Sequence, residues 1–298
     1  MHFRNAQIYR LPENWPGMTS KLLADQLSRI SFRPCAQLEL ASFGFLSPTD
    51  SGELVHVVGG QWLIALGVEQ RLLPSSVVKQ AAKDRAEEIE AQQGYKPGRK
   101  QMKEIKEAVT HELMPRAFTR RRRIFAWIDA QAGWLVVDAP SRKAADSMIE
   151  ALHKSLDELP LKLLNTRRSA GSAMTEWLVA NEAPGAFTID HDCELRAITE
   201  EKSAVRYTHH TLDGKDVREH IEAGKQASRL ALTWNDRLSA ILNDKLELKR
   251  LQLLDIVTES ATDGLAADEQ FDSDFALMTG ELRNFIPALI EVLGGEEN

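Results

Sequence analysis

Two β-rich patterns that flank a pair of helical patterns limit the fold of this 298-residue chain more than any other feature. Residues 54–68 and 124–138 each contain two short β-rich runs around a glycine-containing turn, so each predicts a β-hairpin. Between them, residues 75–93 and 99–113 have the character of helices, with Ser75 as the expected N-cap of the first. The turn that joins these helices contains Gly and Pro. A helical hairpin inserted between two β-hairpins is therefore predicted.

Two further helices are predicted in the N-terminal half. Apolar residues recur at helical spacing over residues 18–30, and a second helix is expected from 141 to about 156, before Pro160. The order helix, hairpin, helices, hairpin, helix is typical of an α+β domain that a helical hairpin interrupts.

The C-terminal half predicts short strands followed by one long helix. The last three strands form a meander because Asn-Asp turns separate them. Large apolar residues recur at steps of three or four from Phe271 to Leu293, which predicts a helix that Gly280 and Pro287 bend or break. Gly294-Gly295 is its expected end. The strands are predicted at 186–190, 204–208, 228–234, 238–243 and 246–252.

The predicted fold class is α+β, with antiparallel sheets, packed helices, a protruding helical hairpin and a long C-terminal helix. A chain of this length is expected to form two domains or one large one. We predict that residues 1–73 and 122–165 form a central α+β domain and that residues 74–121 form an inserted basic tip. Residues 166–298 would form a second α+β domain, the base, which carries a dimer contact.

Charge is distributed very unevenly along the chain. Residues 71–123 contain fourteen Lys or Arg and seven Asp or Glu, whereas the other 245 residues carry 23 basic and 37 acidic side chains. A basic segment in an acidic protein is the pattern expected of a protein that holds a polyanion with one part of its surface. The alternative is an ordinary solvated helical face. The four consecutive arginines at 120–123 favour nucleic acid.

Composition narrows the class of protein further. The two cysteines, Cys35 and Cys193, lack the spacing of a zinc site, so reduced thiols in a cytosolic protein are expected. The first residues lack the layout of a signal peptide, and no apolar run is long enough to span a bilayer. We expect no membrane contact and no cofactor. The net charge of −7 predicts that any DNA contact is confined to a groove, channel or tip.

Several segments along the whole chain are similar to those of a known family. The chain resembles the recombination-associated protein RdgC family of proteobacteria. The matching segments are NAQIYRL at 5–11, FRPC at 32–35, LLPSSVVKQA at 72–81, LMPRAFTR at 113–120, TEWL at 175–178, HIEAGK at 220–225, LALTW at 230–234, DFALMTGEL at 274–282 and LIEVLGGE at 289–296.

The resemblance implies a non-enzymatic, nucleoid-associated protein that binds double-stranded DNA with little sequence preference. It implies a ring-shaped homodimer that restrains recombination by limiting the access of the RecA recombinase to DNA. Whether DNA threads a closed ring or lies on an open surface stays open, as does the recombination step affected. The resemblance leads us to expect more basic residues at the positions where this chain has His209 and His210. Imidazoles are mostly neutral at pH 7, so a DNA contact there also stays open.

The basic segment supplies the first set of candidate DNA contacts. Lysine and arginine neutralise phosphates and release counterions, which gives affinity without sequence information. The alternative is that some of them only balance acids of the same helices, such as Glu87 and Glu107. The candidates are Lys79, Lys83, Arg99, Lys100, Lys103, Lys106, Arg116, Arg120, Arg121, Arg122 and Arg123.

Three other residues are candidates for contacts. Phe118 lies between cations in a predicted loop, where it either fills a pocket on a partner subunit or packs on its own hairpin. Lys225 and Arg229 follow Gly224 at the end of a helix and would form a second basic point. They either contact DNA or cap the helix.

Two acidic patterns suggest metal chemistry only weakly. Residues 190–194, Asp-His-Asp-Cys-Glu, are adjacent on a predicted strand, so their side chains point to opposite faces and do not converge. Asp236 with Glu247 and Lys249 mimics the pattern of metal-dependent nucleases, in which carboxylates hold Mg²⁺. A solvated strand explains the same residues. A Mg²⁺-dependent nuclease of the recombination apparatus is therefore the alternative to a DNA-binding protein without catalysis.

Overall fold

The computed structural model describes residues 2–198, 203–258 and 266–297. They form an α+β fold, as predicted, in which antiparallel strands build one extended sheet. The strands are β1 (Asn5–Arg10), β2 (Ala41–Leu46), β3 (Val55–Val58), β4 (Gln61–Leu72), β5 (Phe118–Asp129), β6 (Trp134–Val137), β7 (Lys162–Leu163), β8 (Phe187–Ala197), β9 (Ala204–Tyr207), β10 (Lys225–Trp234), β11 (Leu238–Asn243) and β12 (Leu248–Leu253).

The helices lie between these strands and at the C-terminal end. None in the described ranges is long and apolar enough to cross a bilayer. The helices are α1 (Ser20–Leu27), α2 (Ser75–Gln93), α3 (Arg99–Leu113), α4 (Arg142–Ser155), α5 (Ala170–Ala180), α6 (Lys215–Glu222), α7 (Asp255–Thr258) and α8 (Ala267–Val292).

Strand β1 joins the two halves of the sheet. Its residues Gln7–Arg10 pair with β6, and Asn5 and Ala6 pair with β12. The strand order is β2-β4-β5-β6-β1-β12-β11-β10-β8-β9, with β3 beside β4 and β7 beside β1. Strands from the N-terminal half thus continue into the meander β10–β11–β12, which forms as predicted.

Two large apolar clusters hold the sheet and its helices together. Leu23, Leu27 and Met148 of α1 and α4 pack in one cluster with alternate residues of β4 and β5. In the other cluster, α5, α6 and α8 bury apolar residues, among them Phe285, against β8, β10, β11 and β12. Side chains alternate between the two faces of a strand, so each face of the sheet serves a different cluster.

Helices α2 and α3 form the predicted helical hairpin and have a small apolar cluster of their own. Ala82, Ile105 and Val109 are its buried members. Gly94 ends α2 with a φ of 82°, a conformation that glycine adopts without strain. The N-cap prediction is wrong, because Pro74 occupies that position and Ser75 is already inside the helix.

Three further differences have physical reasons. Strand β5 begins at Phe118, so Arg120–Arg123 lie on a strand and not in a loop. The reason is that residues 67–70 of β4 pair with them. Helix α8 continues through Gly280 and Pro287 without a break, because packing of its apolar face on the sheet holds it. Helix α5 and strands β1 and β2 were not predicted. The proposed division into domains stays a prediction, and β5 starts within the segment assigned to the tip.

Candidate nucleic-acid interface

The cations of α3 form a stripe beside its buried face. Ile105 and Val109 point into the small core of the hairpin, and Arg99, Lys103 and Lys106 follow a neighbouring line at spacings of four and three. All three cations are exposed, as are Lys79 and Lys83 of α2 and Lys100 and Arg116. Because the apolar residues of both helices are used against each other, the hairpin presents these charges to solvent.

Few of these cations are neutralised within the described part of the chain. Lys83 lies 3.6 Å from Glu87 and Lys103 lies 3.8 Å from Glu107. Exposed pairs of this kind contribute little and leave the cation available to another anion. Apart from Arg121, the remaining candidates in the segment have no acidic partner within 4.0 Å among the described residues. They are Lys79, Arg99, Lys100, Lys106, Arg116, Arg120, Arg122 and Arg123.

The arginine run divides between the two faces of the sheet. In the antiparallel pair β4–β5, Arg121 is directly opposite Glu69, while Arg120 and Arg122 are opposite Gln70 and Val68. Residues that face each other in register share a face, so Arg120 and Arg122 point away from Arg121. All four side chains are exposed. The run therefore presents two pairs of cations and not one continuous patch.

Arg121 has a structural partner. Its Nε donates a 2.6 Å hydrogen bond to Oε1 of Glu69, whose side chain is only 3% exposed. The Cys35 amide donates a second hydrogen bond, of 2.5 Å, to Glu69 Oε2. The Arg121 guanidinium, followed by the Cys35 amide, holds the pKa of Glu69 below its ordinary value. Arg121 also lies over the Phe32 ring at 5.7 Å. Removing it therefore perturbs the fold as well as the surface charge.

The outer half of β5 has an open edge in the described structure. Strand β6 pairs with β5 only from Ala126 to Asp129, so residues 118–124 have a strand partner on the β4 side alone. Charged side chains on an exposed edge oppose pairing with another copy of the same strand. The arginine run consequently keeps this edge solvated and places cations where an extended anion can reach them.

Phe118 lies at the outer end of this edge and is 84% exposed. It is opposite Leu72 of β4, which is 47% exposed, so the two form an apolar pair on the surface. Phe118 belongs to none of the three apolar clusters described above. The expectation that it packs on its own hairpin is therefore wrong, and its ring is available to a partner.

Lys225 and Arg229 do not form the joint basic point expected from the sequence. A β-bulge lies between the pairs Ala227–Leu195 and Arg229–Glu194, and it turns Arg229 to the face opposite the buried Ala227. Lys225 Nζ instead approaches Nδ1 of His220 on α6 at 3.4 Å. Arg229 Nη1 lies 3.7 Å from Glu194. Each cation therefore belongs to a different surface.

The two histidines at 209–210 lie in the turn after β9. His209 has a φ of 52°, and its amide donates a 2.9 Å hydrogen bond to Oδ1 of Asp192. Both imidazoles are exposed, and the ring of His210 stacks at a tilt against Tyr207 with 5.3 Å between centroids.

The acids at 190–194 are engaged separately. Asp190 Oδ2 accepts a 3.0 Å hydrogen bond from Thr233, and Asp192 pairs with Arg250 at 3.4 Å. Burial raises the pKa of Cys193 to about 12, so this thiol stays protonated and is a poor metal ligand or nucleophile. Across the described ranges, no group of three or more His, Cys, Asp or Glu side chains is arranged to hold a metal ion.

Of the nuclease-like residues, Glu247 and Lys249 lie together, with 3.5 Å between Oε2 and Nζ, but Asp236 is kept apart from them. Asp236 lies in the turn before β11 and Glu247 lies just after it, so the six residues of β11 separate them. A strand of that length spans roughly 17–20 Å. Glu247 is buried and accepts hydrogen bonds from Asn243 Nδ2 at 2.8 Å and the Arg142 amide at 3.1 Å. The structure does not bring the two carboxylates to one metal.

Comparison with known proteins gives one consistent result. Residues 1–296 match the family described as "Putative exonuclease, RdgC". The chain is 53% identical over 300 residues to the Recombination-associated protein RdgC of Dechloromonas aromatica (strain RCB), with 99% of this chain and 98% of the relative covered. It is 52% identical over 297 residues to the protein of the same name from Janthinobacterium sp. (strain Marseille), with 99% of each chain covered. It is 50% identical over 299 residues to that of Herminiimonas arsenicoxydans, with 100% of this chain and 99% of the relative covered. The chain therefore belongs to the RdgC family of recombination-associated proteins.

Proposed function

We propose that this protein binds double-stranded DNA through its phosphates, without catalysis and with little dependence on sequence. The observation that carries the proposal is the set of exposed cations on α2, α3 and the outer half of β5 that lack acidic partners among the described residues. Cations without an acidic partner bind phosphate most favourably, because binding releases their counterions and those of the DNA and breaks no contact within the protein.

Duplex is a better ligand for this surface than a single strand. Proteins that hold single strands combine cations with aromatic side chains on which bases stack. The helical hairpin and the outer half of β5 expose only Tyr95 and Phe118 as large aromatic groups. Phe118 lies beside Leu72 on the other strand, which suits a protein contact better than a row of bases. The surface therefore favours contact with the backbone.

The proposed assembly is a ring-shaped homodimer. The exposed pair Phe118 and Leu72 supplies an apolar contact at the open edge of β5, and a second contact is proposed for the C-terminal half. A dimer that encircles or coats duplex in the nucleoid occupies the substrate of the RecA recombinase. It would limit access of the recombinase to DNA by competition, with no direct contact between the two proteins.

Gel shifts with linear and covalently closed circular duplex test this function. We expect similar affinity for unrelated sequences and a steep fall in affinity with salt, with a slope near −0.9 per phosphate neutralised. A flat salt response, or strong preference for one sequence, contradicts backbone binding. A ring that must be threaded from an end should bind linear DNA more readily than closed circles.

The nuclease alternative has its own measurement. The description of the matching family names an exonuclease, so purified protein should be incubated with end-labelled linear duplex in Mg²⁺ and in EDTA. We expect intact DNA under both conditions. Mg²⁺-dependent release of nucleotides that Glu247→Gln abolishes would replace the proposal with catalysis.

A further inference from the structure

A buried carboxylate organises three arginines on the solvent side of the C-terminal half of the sheet. Glu194 of β8 is 9% exposed and faces away from the side that α5, α6 and α8 cover. Ser228 Oγ donates a 2.8 Å hydrogen bond to Glu194 Oε1, and Arg196 Nη2 donates one of 2.9 Å to the same oxygen. These contacts fix the carboxylate and the first guanidinium.

Two more arginines approach the same carboxylate without bonding to it. Arg229 Nη1 lies 3.7 Å from Glu194 Oε2, and Arg206 is directly opposite Glu194 in the β8–β9 register. Desolvation raises the pKa of Glu194, but the Ser228 hydrogen bond and the charges of Arg229, Arg196 and Arg206 outweigh it and leave the pKa below its ordinary value. The carboxylate is therefore ionised at neutral pH, and the three guanidinium groups leave two positive charges in excess.

The guanidinium groups of Arg206 and Arg229 keep their hydrogen-bond donors free. Within the described residues neither makes a hydrogen bond through its side chain, whereas Arg196 uses its contact to Glu194. A guanidinium is a planar fork whose donors match two oxygens of one phosphate. Ser228 and Arg196 both bond to Oε1 of Glu194, and Arg229 lies 3.7 Å from Oε2. The guanidinium groups of Arg206 and Arg229 therefore keep hydrogen-bond donors that a phosphate beside the carboxylate can accept.

The surrounding surface fits a polymer backbone. Alternation places Ala231 and Thr233 of β10 on the same face as Arg229, and Ser239 and Ile241 of β11 are opposite them in register. These side chains are small, polar or aliphatic, and none is aromatic. One carboxylate adjoins them, that of Asp190, which accepts a hydrogen bond from Thr233. The face can accept a charged backbone across the strands but offers nothing on which a base would stack.

We propose that Arg206 and Arg229, positioned by Glu194 and Arg196, form a second phosphate-contact site for the duplex that the helical hairpin binds. This inference rests on the proposed function, since it assigns a further contact to the same ligand. Four strands, β6, β1, β12 and β11, lie between the arginine run on β5 and this site on β10, β8 and β9, so one protomer contacts the backbone at two separate places. Lys225, on the other face, takes no part in it.

The test compares Arg206→Gln, Arg229→Gln and the double variant with Arg218→Gln in the full-length protein. Arg218 is an exposed arginine of α6, a helix that packs on the opposite face of the sheet through Val217, so its substitution removes the same charge from a different surface. Affinity for a random-sequence duplex is measured from low to high salt. Each phosphate that a variant no longer neutralises should lower the magnitude of the salt slope by about 0.9, whereas Arg218→Gln should keep the parent slope.

The outcomes separate the two proposals. A parent that binds with a steep salt dependence, together with an Arg206→Gln variant of unchanged slope, overturns the second site and leaves the proposed function standing. Equal losses in the Arg218→Gln control also overturn it, because they would reflect net charge alone. If the parent protein does not bind duplex, both the proposed function and the second site are wrong. Should Arg229→Gln fail to fold, as judged by near-ultraviolet circular dichroism, the exposed Arg206 decides the question by itself.

Discussion

Replacing Ile105 by alanine should unfold the helical hairpin locally and leave the sheet intact. Ile105 is 6% exposed and is one of only three buried residues in the cluster that joins α2 to α3. Such a truncation of a buried isoleucine costs about 2–5 kcal/mol. Burying one large aliphatic side chain stabilises a fold by roughly 1.5–3 kcal/mol. The free energy lost in Ile105→Ala is therefore comparable to the whole stabilisation that this small core gives the hairpin. The two larger clusters contain neither Ile105 nor its neighbours.

Hydrogen exchange followed by mass spectrometry measures this directly. A loss of about 2 kcal/mol raises the population of the locally open state roughly 30-fold, so amides of α2 and α3 should exchange faster by at least that factor. Peptides from β4 and α4 should exchange as in the parent. The matched control is Leu152→Ala in α4, which truncates a residue of a large cluster and should lower the global unfolding midpoint.

One result would refute the reasoning. If Ile105→Ala accelerated exchange evenly through the sheet and lowered the global midpoint as Leu152→Ala does, the hairpin would be part of one cooperative unit. Its cations would then be held by the whole fold. If Ile105→Ala unfolds the hairpin only locally, its affinity for duplex should fall, because part of the binding free energy is spent on refolding the hairpin on DNA.

Four other expectations follow from the basic segment and its partners. Replacing both Arg120 and Arg122 by serine should weaken duplex binding equally for all sequences and reduce the magnitude of the salt slope, while the melting temperature of the protein stays unchanged. Unaltered affinity in a folded variant would assign these arginines to the fold or to a protein partner. Serine at Arg121 alone should lower the melting temperature, because it strips the partner from buried Glu69, and an unchanged melting curve would contradict that role. The pKa of Glu69 is lower in the folded than in the unfolded protein, so ionised Glu69 stabilises the fold. This stabilisation is complete above the unfolded pKa and is lost as the pH falls through the folded pKa. Denaturant titrations at decreasing pH should therefore show a smaller fall in the free energy of unfolding for Arg121→Gln than for the parent. Phe118→Ser should weaken a subunit contact by about 2 kcal/mol or more. The variant should still sediment as a dimer but be retained less well on circular DNA. Retention equal to that of the parent would rule out a role of Phe118 in closing the ring.

The elements that sequence reasoning located best are those whose signals are local. Helices α2 and α3 match their predicted limits because Gly94 and Gly98 mark their ends and an apolar stripe runs along α3. The antiparallel meander of β10, β11 and β12 was likewise encoded by its turns. The structure separates Asp236 from Glu247 by the length of β11, so these two carboxylates of the nuclease-like pattern do not converge.

Two of the missed elements lack such signals. Helix α5 contains Gly171, which interrupts a helical pattern. A Cβ at this position would lie 3.3 Å from the Ala227 carbonyl oxygen, so glycine eases the close approach of the helix to β10. The outer half of β5 is a run of arginines without any apolar alternation, and it is a strand only because β4 pairs with it. Propensity yields to tertiary pairing in both cases.

The sequence by itself determined the family of this protein, the α+β class, the helical hairpin and the concentration of positive charge at 71–123, because these depend on neighbours in the chain. Only the tertiary structure decided which cations are free. It gave Arg121 a buried partner 52 residues away, separated Lys225 from Arg229 by one β-bulge, and brought Arg206 and Arg229 to Glu194. The availability of a charge depends on which carboxylates lie within a few ångströms, and strand register, not chain position, sets those distances.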